Sequence, residues 1–331
     1  MTDLAALAKT ELHLHLEGAA PPALIRTLAA EQGVALDGVF DVEGGYRWDD
    51  FADFLETYMK ACTVLRGPEE YRRLTGAVLA QSAAEGVIYT EIFLCPDICG
   101  GGDPAAWADY LAAITEAAAT ARAAHGIEAR FIATCIRNFG PEAAIRAARL
   151  AAATRGPWLT GFGLAGEERH LTPADFAPAF DIAREAGLGL TAHAGELCGA
   201  ESVAAALDHL RPTRIGHGVR AIENPDLVAR LAAERVLLEV NPGSNIALGI
   251  FLDWQSHPLA ALRAAGVPVC LSTDDPPYFH TGLTREYRAL ARTHGWTAAD
   301  FTEMNVAGME FAFCDANTRA AITARLKEPA P

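Results

Sequence analysis

Residues 11–18 read ELHLHLEG. Apolar and polar residues alternate with a period of two, the pattern of a half-buried strand. That period sends residues i and i+2 to one face, so His13 and His15 point the same way. A strand that aims two imidazoles in one direction and then breaks at Gly18 is either a strand with two half-exposed histidines or one half of a metal site. The choice depends on what the rest of the chain brings to the end of this strand.

Outward from it, short apolar or β-branched runs recur, each followed by an Ala-rich helical stretch. They are TELHLH (10–15), VIYTEIFL (87–94), EARFIATCI (128–136), LTGFGL (159–164), LGLTAHA (188–194), TRIGHG (213–218), VLLEV (236–240) and VPVCLST (267–273). The helical stretches include 103–126 and 172–187, the latter with Thr172 as N-cap, Pro173 at the first helical position and Gly187 as terminator. Eight strands alternating with helices predict a closed parallel barrel, the (β/α)8 or TIM barrel, in a single domain spanning 1–331. Residues 38–82 separate the first two predicted strands by more than an ordinary crossover, which predicts a helical insertion there. Within it Phe51, Phe54, Leu55 and Tyr58 form one helical stripe. Such a stripe faces the core or, because long βα insertions sit at the catalytic end of a barrel, closes over its mouth as a lid.

Composition narrows the function. With 51% apolar residues among 331, the chain can bury a large core. Its formal charge of −15 and its lack of a Lys/Arg cluster exclude a nucleic-acid footprint, and favour a small-molecule substrate. No apolar run reaches membrane-spanning length without charge, and MTDLAALAKTEL has no basic-then-apolar leader. Seven scattered cysteines read as free intracellular thiols, so a cytoplasmic location is expected. Nothing in the sequence sets an oligomeric state.

In a barrel, the C-terminal strand ends converge on one pocket. The first predicted strand ends in His13 and His15, the fifth in TAHAGE with His193 and Glu196, the sixth in IGHG with His217, and the eighth in STDDP with Asp274 and Asp275. Neutral imidazoles with one carboxylate suit Zn2+ or a similar divalent ion, so His13, His15, His193 and Asp274 are the expected ligands of one ion per chain. Glu196 and His217 remain to act as acid and base around an attacked carbon, an arrangement for metal-assisted hydrolysis.

The ordered motifs ELHLHLEG, GFGLAGEE (161–168), TAHAGE (191–196), RIGHG (214–218), LEVNPGSN (238–245) and STDDP (272–276) resemble the signatures of the adenosine/adenine deaminases. These belong to the metal-dependent amidohydrolases, and the resemblance runs from about residue 9 to past Tyr287. It implies hydrolytic replacement of a purine 6-amino group by oxygen, with release of ammonia. Carried over by position, His13, His15, His193 and Asp274 match the metal ligands, and Glu196 matches the residue that protonates purine N1. His217 matches the group that orients and deprotonates the attacking water, Asp275 a carboxylate near N7 and the nucleophile, and Gly166 a backbone donor to N3.

Adenosine deaminases usually carry Asp where this chain has Glu17, and that Asp approaches the ribose 5′-hydroxyl; Glu is typical of the adenine-specific relatives. Gly163-Leu164-Ala165-Gly166 also stands where the family often reads D-L-A-G. The expected substrate is adenosine, with deoxyadenosine, giving inosine and ammonia, and Glu17 is expected to bond a sugar hydroxyl. The alternatives are adenine, converted to hypoxanthine, and a 5′-modified adenosine. A binuclear amidohydrolase would need a bridging lysine near 159–168. The chain has only Lys9, Lys60 and Lys327, leaving Glu167 or Glu168 as substitutes. A non-catalytic purine- or metal-binding barrel would be expected to lack Glu196 or His217. The H-x-E and P-C-x-x-C pattern of nucleic-acid deaminases is absent.

Overall fold

The computed structural model describes residues 3–328. Eight strands run β1 Lys9–His15, β2 Val87–Leu94, β3 Glu128–Ile136, β4 Leu159–Ala165, β5 Gly189–Ala194, β6 Arg214–His217, β7 Leu237–Val240 and β8 Val269–Leu271. Each pairs in parallel with the next, in the order β1 to β8, as expected of a (β/α)8 barrel. β8 stops two residues short of the expected Thr273, and the seam to β1 is finished by other means. The Ser272 hydroxyl accepts the N–H groups of Leu12 and His13, both at 3.1 Å. Asp274 then donates its N–H to His13 O (3.2 Å) and accepts that of His15 (3.1 Å). A side chain and a turn residue thus stand in for a strand ladder at the point where two site elements meet.

The helices follow local rules. Asp103 caps helix Pro104–His125 by accepting the amides of Ala105 and Ala106, and Gly126 ends it in the left-handed region. Thr172 and Asp175 form a reciprocal capping box, but the first turn, Pro173–Phe176, is a 3-10 turn leading into helix Ala177–Glu185.

The insertion differs from its sequence bounds. Helix Pro68–Ala84 is the ordinary crossover helix, packed against Pro104–His125 through a face with Tyr71, Leu74 and Val78 buried. The added structure is therefore the part before Gly67. It holds helix Pro22–Gln32, a loop closed by a Phe40–Tyr46 bridge, and helix Phe51–Cys62 capped by Asp50. Tyr46 stacks on Tyr278, ring centroids 3.8 Å apart, and Trp48 donates to Tyr278 O (2.9 Å). These contacts tie the insertion to the loop that follows Asp274 and Asp275.

A buried ion network joins strands β2, β6 and β7. Arg214 sits 2.6 Å from Glu91 Oε2 and 2.6 Å from Glu239 Oε1, with its guanidinium 3.6 Å from the Phe313 ring centre. Paired charges of this kind are tolerated inside a protein because each desolvated group has its partner.

Candidate active site at the barrel rim

The strand ends bring His13, His15, His193 and Asp274 together, with one ligand atom from each mutually within 4.8 Å. His15 Nε2 lies 3.2 Å from His193 Nε2, and Asp274 Oδ1 lies 3.3 Å from Nε2 of both His13 and His15. Outer partners set the ring orientations. His193 Nδ1–H donates to Leu164 O (2.8 Å), and His13 Nδ1 faces Glu239 Oε2 (2.7 Å). Each ring therefore turns its Nε2 to the common centre, the arrangement found around metal-bound histidines. Gly216 makes room for them, since a Cβ there would come within 2.8 Å of His13 Cε1.

These residues fit a divalent cation. His13 Nε2 is buried without a hydrogen-bond partner, and the His193 lone pair points at another imidazole nitrogen. Burial works against a charged His13, yet the flanking Asp274 and Glu239 carboxylates hold it up at about 9. Burial likewise opposes ionisation of Asp274, but its histidine partners keep it well below the usual carboxylate range. The centre is thus built to hold positive charge, with three imidazoles and a carboxylate as donors. Asp274 Oδ2 is fixed by the Ser244 hydroxyl at 2.7 Å.

Glu196 and His217 stand beside this cluster. His217 Nε2 is 3.7 Å from Glu196 Oε2 and 3.8 Å from Asp274 Oδ2. His217 and Asp274 both adopt positive φ, +59° and +68°, a conformation that costs a non-glycine residue about 1–3 kcal/mol. Leu259 N–H donates to His257 Nδ1 (3.3 Å), so His257 Nε2–H donates to Asn245 Oδ1 (3.1 Å). The Asn245 amide group must then donate to His217 Nδ1 (3.1 Å), and the neutral ring presents Nε2–H to the cavity. Burial lowers His217 to about 3, consistent with that neutral form. Burial and the nearby Asp274 charge push Glu196 well above the ordinary carboxylate range, and the same causes raise Asp275. A carboxyl in a cleft that holds its proton more tightly than usual suits a general acid, and Glu196 is placed for that role.

The cavity above these groups measures about 290 Å3. The stripe Phe51, Phe54, Leu55 and Tyr58 forms part of its wall, so the insertion covers the barrel mouth. Gly166, at φ +95°, also lines the cavity, and a Cβ there would meet Asn138 Oδ1 at 2.7 Å. Glu17 also lines the cavity and is 4% exposed. Its Oε1 accepts the Tyr71 hydroxyl at 2.7 Å, with Cys99 Sγ at 3.9 Å. Glu168 does not approach the metal cluster; its carboxylate is taken up by backbone amides after β5. Glu167 belongs to neither of the clusters of metal-ligating side chains found among the described residues.

Sequence reasoning missed Tyr71, Glu239, Ser244, Asn245 and His257. Glu239, Ser244 and Asn245 lie in LEVNPGSN and carried a motif signal without a role. Tyr71 reads as one more apolar position of a crossover helix, and nothing local marks it.

A (β/α)8 barrel with a His/Asp cluster and a buried Glu–His pair at its C-terminal rim is the architecture of a metal-dependent amidohydrolase. Within that class the chain belongs to the adenosine deaminase family, whose model matches residues 8–329, and it is a purine deaminase. It is 53% identical to an adenine deaminase of Rhizobium leguminosarum bv. trifolii (strain WSM2304), over 97% of this chain and 99% of the relative. An adenine deaminase of Chelativorans sp. (strain BNC1) is 51% identical over 97% and 98%. Among solved structures, adenine deaminase from Arthrobacter aurescens superposes with a TM-score of 0.86 at 29% identity, covering 97% of this chain and 98% of that one. An amidohydrolase from Burkholderia ambifaria with bound Zn superposes at 0.84 and 27% identity, covering 98% and 90%. Among the described residues no helix is long and apolar enough to cross a membrane.

Proposed function

We propose that the chain hydrolyses free adenine to hypoxanthine and ammonia. The adenosine expected from sequence gives way to this alternative, and the observation that carries the change is the Tyr71–Glu17 hydrogen bond. A carboxylate reserved for a sugar hydroxyl would be left waiting in the cavity. Glu17 instead has its own donor from the crossover helix, and a buried polar group with a partner can serve as a wall. That wall fills the space a ribose would need. Relatives at about half identity along nearly the whole chain that are named adenine deaminases support the same reading.

A divalent cation held by His13, His15, His193 and Asp274 supplies Lewis acidity that makes water nucleophilic near neutral pH. Glu196, whose proton burial and the Asp274 charge hold more tightly than in an ordinary carboxyl, gives that proton to ring N1 and so draws electron density from C6. His217 directs its Nε2–H at the incoming oxygen and orients it. Asp275, beside it, takes a proton from the water as its oxygen bonds to C6 and gives that proton to the amino group as the C6–N bond breaks, so that ammonia leaves, while the remaining hydroxyl proton returns to Glu196 and N1 keeps the proton it received. The base role expected of His217 thus passes to Asp275, because a ring that presents Nε2–H has no lone pair there. The Gly166 N–H meets N3 and fixes the ring in its plane. The apolar stripe of the insertion excludes bulk water, which strengthens each of these polar contacts.

Ammonia release measured in parallel from adenine, adenosine and deoxyadenosine tests the proposal. A kcat/KM for adenosine above that for adenine would overturn the substrate assignment.

A further inference from the structure

Glu168 follows β4 and is 3% exposed, and the chemistry outlined so far gives it no task. Its side chain turns to the segment after β5, the one that carries Glu196. Oε1 accepts the Gly195 N–H (2.6 Å) and the Ser202 hydroxyl (2.5 Å). Oε2 accepts the N–H groups of Glu196 (3.1 Å), Leu197 (2.6 Å) and Cys198 (2.8 Å).

Successive amides converge on one anion only when the backbone folds into a concave nest, which requires a left-handed residue. Gly195 provides it at φ +70°, and a Cβ there would strike Val203 Cγ2 at 2.4 Å. The carbonyls of the same segment are held from the other direction. Arg137 donates to His193 O (3.0 Å), and Arg220 donates to Leu197 O (2.6 Å).

We propose that Glu168 is a positioning residue for the deamination: its anion in the amide nest of residues 195–198 sets where the Glu196 carboxyl stands relative to His217 and the cavity. The inference rests on the reading that Glu196 delivers the proton. The chemistry of the nest demands a full carboxylate. An ionised carboxyl only accepts, with about four lone-pair directions, which matches a cradle made solely of donors. An amide in its place would turn an N–H2 group toward backbone N–H groups and lose one whole side of the cradle. The turn would then relax, and a displacement of even an ångström at a catalytic carboxyl is costly in rate.

The test compares Glu168→Gln, Ser202→Ala and Glu196→Gln, and the two double variants that combine Glu196→Gln with each of the others, assayed with adenine as metal-loaded protein. Glu168→Gln is expected to lower kcat about 10- to 100-fold, the scale usual for residues that orient a site group, with KM and bound metal near wild type. Because Glu168 acts through Glu196, each double variant should be no slower than Glu196→Gln alone. Losses that multiply, or a Glu168→Gln enzyme with wild-type kcat, would overturn the proposal. Should Glu168→Gln not fold, Ser202→Ala carries the comparison, since the amide donors remain; a wild-type kcat there would then overturn it. A fully active Glu196→Gln enzyme would instead overturn the assignment of Glu196 as the acid.

Discussion

Gly18 lies against the carboxylate of Asp275 so closely that a Cβ built on it would fall 1.5 Å from Asp275 Oδ1. The glycine that ends ELHLHLEG is therefore a space for a site carboxylate delivered from the far end of the chain. Asp275 Oδ1 is buried and has no protein partner, so it stays available to a ligand.

Gly18→Ala should consequently push Asp275 out of place. Overpacking of this kind costs about 1–3 kcal/mol, and the rate should fall by more than the stability loss explains. Thermal melts and kcat measured on the same preparation check this; unchanged kcat would show that the Asp275 position is not critical.

Glu17→Ala should reduce kcat/KM for adenine while leaving that for adenosine equal or improved, because truncation opens the wall. Tyr71→Phe removes the partner of Glu17 without opening space, at a cost of about 1–3 kcal/mol for the unpaired buried group. Its adenine activity should drop without a gain for adenosine. The ratio of kcat/KM values decides, and a fall in the adenosine share for Glu17→Ala would restore the sugar-binding role.

One metal ion per chain is expected from elemental analysis of dialysed protein, with activity lost on chelation and regained on adding Zn2+. Glu239→Gln should weaken metal affinity about 10- to 100-fold, because Glu239 orients His13. Two tightly held ions per chain would contradict a single centre.

His257→Ala should free Asn245 to turn its amide and so release the tautomer of His217. The expected result is a kcat loss of about tenfold, or ~1.4 kcal/mol, with bound metal retained. Nitrogen-15 spectra of the wild-type imidazoles should place the His217 proton on Nε2. A proton found on Nδ1 would break the relay.

Glu286 is buried, accepts the Gly243 amide (3.1 Å) and the Thr281 hydroxyl (2.5 Å), and burial raises it to about 8. Its folded pKa lies above the ordinary value of 4.5, so the native state binds more protons than the unfolded state between these limits. Its stabilising contribution is complete below about pH 4.5 and is lost as pH rises through about 8. Glu286→Gln should accordingly flatten the fall of melting temperature between about pH 5 and 8; an identical slope in both proteins would argue against the assignment.

The barrel was legible in the amino-acid sequence, because strand and helix periodicities are local and a cap such as Thr172 is written next to the element it bounds. The sequence also marked the residues that meet at the rim, since a parallel barrel gathers its strand ends whatever lies between them. What those residues touch depends on how the elements pack. Tyr71 reaching Glu17 from a helix 54 positions away, Glu168 seated in the amides after β5, and the relay from Leu259 to His217 are contacts between separate elements. No periodicity records them. They depend on side-chain reach across packed surfaces, and a buried polar group gains or loses its role according to the partner that packing supplies.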